Sequence, residues 1–119
     1  MNVEIAGLRN GKGVVRLCMT SRVDAFPACK TGAAMTASVA ANKAGVHYTF
    51  ENVPAGTYAI AVFHDENGNG KMDKLMAMPK EGFAFSENPP MRPRAPTFAE
   101  AHFKVNADAH EVLKMRYIL

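Results

Sequence analysis

The stretch Tyr58-Ala59-Ile60-Ala61-Val62-Phe63 decides the fold of this chain. All six residues are apolar or aromatic, whereas the side chains of a β-strand alternate between its two faces. Both faces of a strand at this place must therefore be covered by other parts of the protein. The stretch predicts a central strand with packed layers on both sides.

Residues outward from this stretch alternate between apolar and polar with a period of two, which predicts half-buried strands. The turn signals between them are Arg9–Gly13, Val53–Gly56 and Asn106–Ala109. The segment Arg9–Gly13 is predicted to join the first two strands as a hairpin. Short strands with Gly and Pro turns favour an all-β sandwich. The residues predicted to face the core are Val15, Leu17 and Met19; Met35, Ala37 and Val39; Val46, Tyr48 and Phe50; and Leu113, Met115, Tyr117 and Leu119.

The bulk composition is that of one globular domain, residues 1–119. The net charge of +3 comes from scattered Lys and Arg residues, without the basic face that nucleic-acid binding needs. No segment is long enough to span a membrane. The first residues already have the pattern of a strand, so the chain is expected to be cytosolic or to have lost a leader. Cys18 and Cys29 could form a disulfide or remain two buried thiols, and composition alone does not decide between them.

The segment Asp65–Asp73 carries the clearest chemical signal. Side-chain oxygens recur at Asp65, Asn67, Asn69 and Asp73, and Gly70 stands where the backbone must bend. This is the start of a calcium loop, in which Lys71 would contribute its backbone carbonyl. It opens a long region, 64–96, that has little alternation and is expected to be a loop organised by an ion.

The same segment departs from an EF-hand in two ways. The bidentate Glu of position twelve is Met76, and the predicted strand before Asp65 replaces the usual helix. Glu81 could fold back to supply the missing carboxylate, whereas Glu66 is expected to point outward. Such a site should bind Ca²⁺ weakly, at about 10⁻⁴ to 10⁻³ M, and Mg²⁺ less well.

A tight turn without metal would use the same Asn-Gly letters, because Asn and Gly accept positive φ. It would not need acidic residues at both Asp65 and Asp73. Enzymatic activity is not expected, since no acid, base and nucleophile form a recognisable constellation. The four histidines are spread over different predicted strands and are interpreted as surface or core groups.

The segment 63–73, Phe-His-Asp-Glu-Asn-Gly-Asn-Gly-Lys-Met-Asp, resembles the signature of a bacterial family known as domain of unknown function 2141. Residues 78–86 are similar to its second motif, residues 50–58 to the preceding strand–turn–strand, and residues 96–101 to the following strand. The 50–58 turn is shared with transthyretin-like and carboxypeptidase-regulatory-like sandwiches. Leu75, Ala77 and Ala84 depart from the family pattern, and a potential ligand is thereby lost.

The resemblance implies a prealbumin-like Greek-key β-sandwich of about seven strands. It also implies a periplasmic or extracellular protein, and hence a disulfide between Cys18 and Cys29. The leading hypothesis is a non-enzymatic exported module whose long loop is organised by Ca²⁺ and which binds a glycan, a peptide or an envelope protein. Phe83 and Phe85 would either form a platform for that partner or fix the loop to the core. The alternatives are a ligand-free structural domain, and a small-ligand carrier or transthyretin-like hydrolase in which His64, Glu81 or His102 would converge.

Overall fold

The computed structural model describes residues 1–27, 29, 34–68, 74–75, 78–79, 82–90, 95–106 and 109–117. These residues form a β-sandwich of a three-stranded and a five-stranded sheet, with a separate two-stranded hairpin. The all-β prediction is confirmed. The strands are β1 Asn2–Ala6, β2 Val14–Thr20, β3 Ala34–Ala40, β4 Val46–Thr49, β5 Gly56–Asp65, β6 Lys74–Leu75, β7 Met78–Pro79, β8 Phe83–Phe85, β9 Phe103–Val105 and β10 His110–Lys114; a 3₁₀ turn, Val23–Ala25, and a helical turn, α1 Phe98–Ala101, complete the elements.

The small sheet has the order β10-β1-β4, and β1 runs parallel to β10 and antiparallel to β4. The large sheet has the order β3-β2-β5-β8, with β9 paired to the first residues of β5. Eight described strands thus build the sandwich, where the resemblance implied about seven. No helix in the described ranges has the length and apolar character needed to cross a bilayer.

Strand β5 contains the apolar stretch from Tyr58 to Phe63. It is ten residues long and pairs with β2, β8 and β9. Residues 59–62 are at most 9% exposed, so both faces of the strand are covered as predicted. The predicted inward residues of β2, Val15, Leu17 and Met19, are likewise buried in the core between the two sheets.

The predicted hairpin at Arg9–Gly13 is wrong. Strand β1 pairs with β4 and β10, whereas β2 pairs with β3 and β5, so the segment 7–13 crosses from one sheet to the other. Gly7 allows this path, because it has a φ of +81° and an added Cβ would lie 3.4 Å from the Met115 carbonyl oxygen. Turn-forming residues serve a hairpin and a crossing connection equally well, so local sequence did not distinguish them.

Two strand predictions near the C-terminus need correction. The last strand was predicted to continue to Leu119, but β10 ends at Lys114, and Arg116 then forms an isolated bridge with Phe83 of the large sheet. Leu119 lies outside the described residues. The segment 96–101, expected to resemble a strand, contains α1 instead. Its Thr97 side chain accepts from the Glu100 amide, and the Glu100 carboxylate accepts from the Thr97 amide, a capping box that stabilises a helix start.

An aromatic cluster covers the outer face of the large sheet. The Phe26 ring contacts Phe85 at 5.9 Å and Phe98 at 6.2 Å between centroids, and Phe83 lies 5.8 Å from Phe85. The first two contacts are edge-on and the third is tilted by 52°, so the rings pack against one another and do not form a flat platform. Phe83 and Phe85 therefore fix β8 to the sandwich.

Cys18 and Cys29 lie at disulfide distance, with Cα atoms 6.4 Å apart. Cys18 is on β2 and only 8% exposed, and Cys29 lies three positions after Phe26, the residue that follows the 3₁₀ turn. The link therefore fixes the chain after β2 over the outer face of the large sheet.

Reduction should destabilise the protein. The two cysteines are separated by 11 positions, and closing a loop of this size stabilises a fold by about 3 kcal/mol. We expect dithiothreitol to lower the free energy of unfolding, measured in urea, by about 2–3 kcal/mol. The Cys18→Ala/Cys29→Ala variant should already have the lower value and should not respond to reductant; an equal response of both proteins would contradict the link.

Candidate functional site at the end of strand β5

The last two residues of β5, His64 and Asp65, are polar and completely buried, with 0% exposure each. As neighbours in a strand they point to opposite faces of the large sheet. Burying such groups is costly unless they are paired or hydrogen-bonded. Their partners therefore determine how the end of this strand is held.

Asp65 pairs with Arg16 of β2. The Arg16 Nε donates to Asp65 Oδ2 at 2.8 Å, and Arg16 Nη1 donates to the Ser38 hydroxyl of β3 at 2.9 Å. The carboxylate is fully buried while the arginine side chain keeps 31% exposure. One guanidinium thus neutralises the buried charge and links three adjacent strands of the large sheet.

His64 occupies the other face and joins two more segments. Its Nε2 lies 2.7 Å from the Lys12 carbonyl oxygen, and its Nδ1 lies 2.9 Å from the Tyr117 hydroxyl. A carbonyl only accepts, so Nε2 carries the proton. In the neutral ring Nδ1 then accepts from Tyr117, whose oxygen accepts from the Arg9 amide at 3.1 Å. Every bond in this chain has one donor and one acceptor.

Glu66 begins the loop and is held by the segment 7–13. Its carboxylate forms an ion pair with the Arg9 guanidinium, and it accepts from Asn10 Nδ2 at 2.6 Å. The hydrogen bond from Arg9 is the main reason that the pKa of Glu66 is lowered. Arg9 also lies over the ring of Tyr117, 4.5 Å from its centroid, and burial raises the pKa of that tyrosine.

The loop itself starts with a tight turn. The Gly68 amide donates to the Asp65 carbonyl oxygen at 3.3 Å, and Gly68 has a φ of +69°. At the far end of the region, the His64 amide donates to the Gly82 carbonyl oxygen at 2.8 Å, so the two ends of the segment between them meet. Asn67 is exposed on the turn. The other predicted ligands, Asn69, Lys71, Asp73 and Glu81, lie outside the described residues.

The histidines predicted to converge in a carrier or hydrolase do not do so. His102 adjoins Phe103, which pairs with Tyr58 near the start of β5, whereas His64 is at its end. Six residues of strand separate the two places, which corresponds to roughly 20 Å. His102 is exposed and stacks on Phe98.

The sequence indicated Asp65 as a site residue. It did not indicate Arg16, the partner of Asp65, or Tyr117, the partner of His64. A charged residue in the middle of the apolar strand β2 was the available signal for Arg16. Tyr117 was assigned to the core by its alternation, and nothing local indicated that its hydroxyl would meet a histidine 53 positions away.

The fold and this cluster define a small all-β sandwich whose central strand ends in buried, fully partnered polar residues. The profile of a family described as uncharacterized proteins conserved in bacteria (DUF2141) matches residues 3–113. This covers nearly the whole chain, and the protein belongs to that family. Comparisons with curated proteins and with solved structures found no match.

Gly13 and Gly68 offer a matched test of how closely the β1–β2 connection approaches the site. Both have nearly the same positive φ, +68° and +69°. A Cβ on Gly13 would overlap the Asp65 carbonyl oxygen, whereas one on Gly68 would meet no atom of the described residues within 4 Å. We expect Gly13→Ala to cost at least about 3 kcal/mol and Gly68→Ala about 1 kcal/mol of unfolding free energy in urea titrations. Equal losses would contradict the packing described.

Two glutamates should influence the pH dependence of stability in opposite directions. The pKa of Glu66 is lowered from its ordinary value of 4.5. Its stabilising contribution is therefore full above pH 4.5 and is lost as the pH falls through the folded-state pKa. Partial burial raises the pKa of Glu111 above 4.5, so its contribution is full below pH 4.5 and is lost as the pH rises through the folded-state pKa.

We expect the Glu66→Gln variant to lose less stability than the wild type between pH 4.5 and pH 3. The Glu111→Gln variant should gain more than the wild type between pH 4.5 and pH 6. Urea unfolding at these pH values measures both differences, and each variant serves as the control for the other. A Glu66→Gln variant that loses as much stability as the wild type between pH 4.5 and pH 3, or a Glu111→Gln variant that gains no more than the wild type between pH 4.5 and pH 6, would overturn the assignment.

Proposed function

We propose that this protein is a non-enzymatic binding module of the bacterial cell envelope whose loop after β5 binds Ca²⁺. The observation that carries the proposal is the position of Asp65. It is the last residue of a largely buried strand, and the first of a series of oxygen-bearing residues with the spacing of a calcium loop.

The described backbone supports this proposal at both ends of the loop. The turn from Asp65 to Gly68 reverses the chain just after the first ligand, as a loop that wraps a cation requires. The bond from the His64 amide to Gly82 closes the base of the loop. Glu81 precedes Gly82 in the sequence and is therefore proposed as the closing carboxylate.

The Arg16 contact refines the role of Asp65. A carboxylate has about four acceptor positions and can bind a guanidinium and a cation together. The nearby positive charge of Arg16 lowers the affinity for the cation, in keeping with a dissociation constant of about 10⁻⁴ to 10⁻³ M. The proposed ligands are Asp65, Asn67, Asn69, the Lys71 carbonyl, Asp73 and Glu81.

An envelope location is proposed because of the two cysteines. Disulfides persist in oxidising compartments such as the periplasm and the extracellular space. The disulfide-distance pair Cys18–Cys29 therefore supports export. The proposed partners there are a glycan, a peptide or another envelope protein, recognised next to the ordered loop.

The test is a thermal melt in 10 mM Ca²⁺, in 10 mM Mg²⁺ and in EDTA. A site with a dissociation constant of about 1 mM gains about 1.4 kcal/mol from 10 mM Ca²⁺. We expect this gain to raise the melting temperature by about 5 °C, and Mg²⁺ to raise it by less.

Asp73→Asn is the informative variant, because Asp65→Ala would also remove the partner of Arg16 and destabilise the protein without Ca²⁺. Asp73→Asn should abolish most of the shift. Asp24→Asn is the matched control, since Asp24 lies in the 3₁₀ turn and pairs with Arg22 on the surface. It should keep the full shift. A wild-type melting temperature that is the same in Ca²⁺ and in EDTA would overturn the proposal.

A further inference from the structure

Strand β3 is an outer strand of the large sheet. All seven of its residues pair with β2 on one side. No strand of the described part of the chain pairs with its other side. A row of backbone donors and acceptors at such an edge can pair with another chain, so natural proteins protect their edges.

Other outer strands of this molecule are protected. The Asn88 side chain acts as a substitute peptide group for β10, donating to the Val112 carbonyl at 2.8 Å and accepting from the Lys114 amide at 2.9 Å. Phe83 of β8 exchanges two backbone hydrogen bonds with Arg116. Strand β4 is only four residues long.

Strand β3 has no comparable protection in its sequence. Its residues, Ala-Met-Thr-Ala-Ser-Val-Ala, include no charge, no proline and no glycine. Charged residues and proline are the usual means by which an edge strand discourages pairing. A seven-residue strand without them favours association with a second strand.

The inner face of β3 is also incompletely covered. Met35, Ala37 and Val39 are only half-buried, although they contact the core. Their neighbours on β2, at positions 15, 17 and 19, are at most 2% exposed. The core thus ends at β3 with apolar surface that one further strand would cover.

The direction of the backbone groups can be read from one hydrogen bond. The Ala41 amide donates to the Gly13 carbonyl at 3.1 Å. Hydrogen-bonded pairs alternate along an antiparallel ladder, so residues 35, 37 and 39 bond to β2. Thr36, Ser38 and Ala40 consequently direct their N–H and C=O groups away from the sheet.

We propose that two copies of this chain associate by antiparallel pairing of their β3 strands. A two-fold axis at Ala37 places Thr36 opposite the partner's Ser38 and Met35 opposite the partner's Val39. The strand is self-complementary in this register, because small polar residues meet on the outer face, apolar residues meet on the inner face, and no charges are opposed. The large sheets of the two copies then form one continuous sheet.

The contact is small, because it consists of one strand pair and its neighbouring side chains. Interfaces below about 1,200 Å² are usually weak or transient. The association is therefore concentration-dependent, with monomer and dimer in equilibrium at micromolar to millimolar concentrations.

Sedimentation equilibrium in EDTA tests this proposal separately from calcium binding. We expect the apparent mass to rise from 12.9 kDa toward about twice that value between about 10 µM and 1 mM protein. Thr36→Lys places two like charges next to the axis and should raise the concentration at the midpoint at least tenfold. Ala44→Lys adds the same charge on the exposed turn after β3 and should behave like the wild type.

A cysteine at the axis tests the register. Ala37 would face the partner's Ala37 in a non-hydrogen-bonded pair with Cα atoms about 4.5 Å apart, which is within the range for a disulfide. Under mild oxidation Ala37→Cys should form a covalent dimer, and Ala44→Cys should not. A wild-type protein that stays monomeric at 1 mM, or a dimer that forms equally well with Thr36→Lys, would overturn the proposal. Circular dichroism melts confirm that each variant is folded.

Discussion

The structure depends on strand β5, whose backbone needs hydrogen-bonding partners along both edges and whose apolar side chains need to be buried on both faces. Its backbone pairs with β2, β8 and β9, and its residues 59–62 are buried on both sides. The small sheet covers one face, and the aromatic cluster with the segment after β2 covers the other. Buried Ser86, just after β8, connects β5 to α1, because its hydroxyl accepts from the Ile60 amide and donates to the Ala101 carbonyl.

The polar end of β5 gives this apolar strand a fixed register. A slip by one residue would turn the side chains of Asp65 and His64 to the opposite faces of the sheet. Asp65 would then lose its contact with Arg16, and His64 its contact with Tyr117. Breaking a buried charge pair typically costs about 3–5 kcal/mol, more than an apolar strand loses by small shifts in packing. Because the partners come from β2, the 7–13 connection and the C-terminal segment, the site and the fold are stabilised together. The loop that follows starts from a fixed point, as the proposed ion site requires.

The two sheets show a contrast between protected and unprotected edges. Asn88 and Arg116 satisfy the outer backbone groups of β10 and β8 within the chain. Strand β3 instead has an uncharged sequence and half-buried apolar residues. The proposed calcium loop and this edge involve separate residues, but Arg16 bonds to both Asp65 and Ser38. Arg16 therefore connects the two proposed interaction regions physically.

The sequence alone determined the central strand and the core-facing residues of the longer alternating strands. Alternation placed Val15, Leu17 and Met19 correctly, and the apolar stretch 58–63 identified the central strand, because the two-residue period of a strand is a local property. It also located Asp65 and the loop that follows it. The expectation of one long loop over 64–96 was wrong in part, because β6, β7 and β8 lie within it and strands of two or three residues are too short to show a period. Local patterns also missed the short helical turn, although its Thr97–Glu100 capping box was readable.

Only the tertiary structure decided which strands pair and which polar groups meet. The segment Arg9–Gly13 could form a hairpin or a crossing, and the choice depended on the partners that β1 found in β4 and β10. Arg16 meets Asp65 across 49 positions, and His64 meets Tyr117 across 53. Such contacts follow from the packing of whole sheets. The free energy that selects this packing comes from burial shared among distant segments. A local sequence pattern therefore does not encode these contacts.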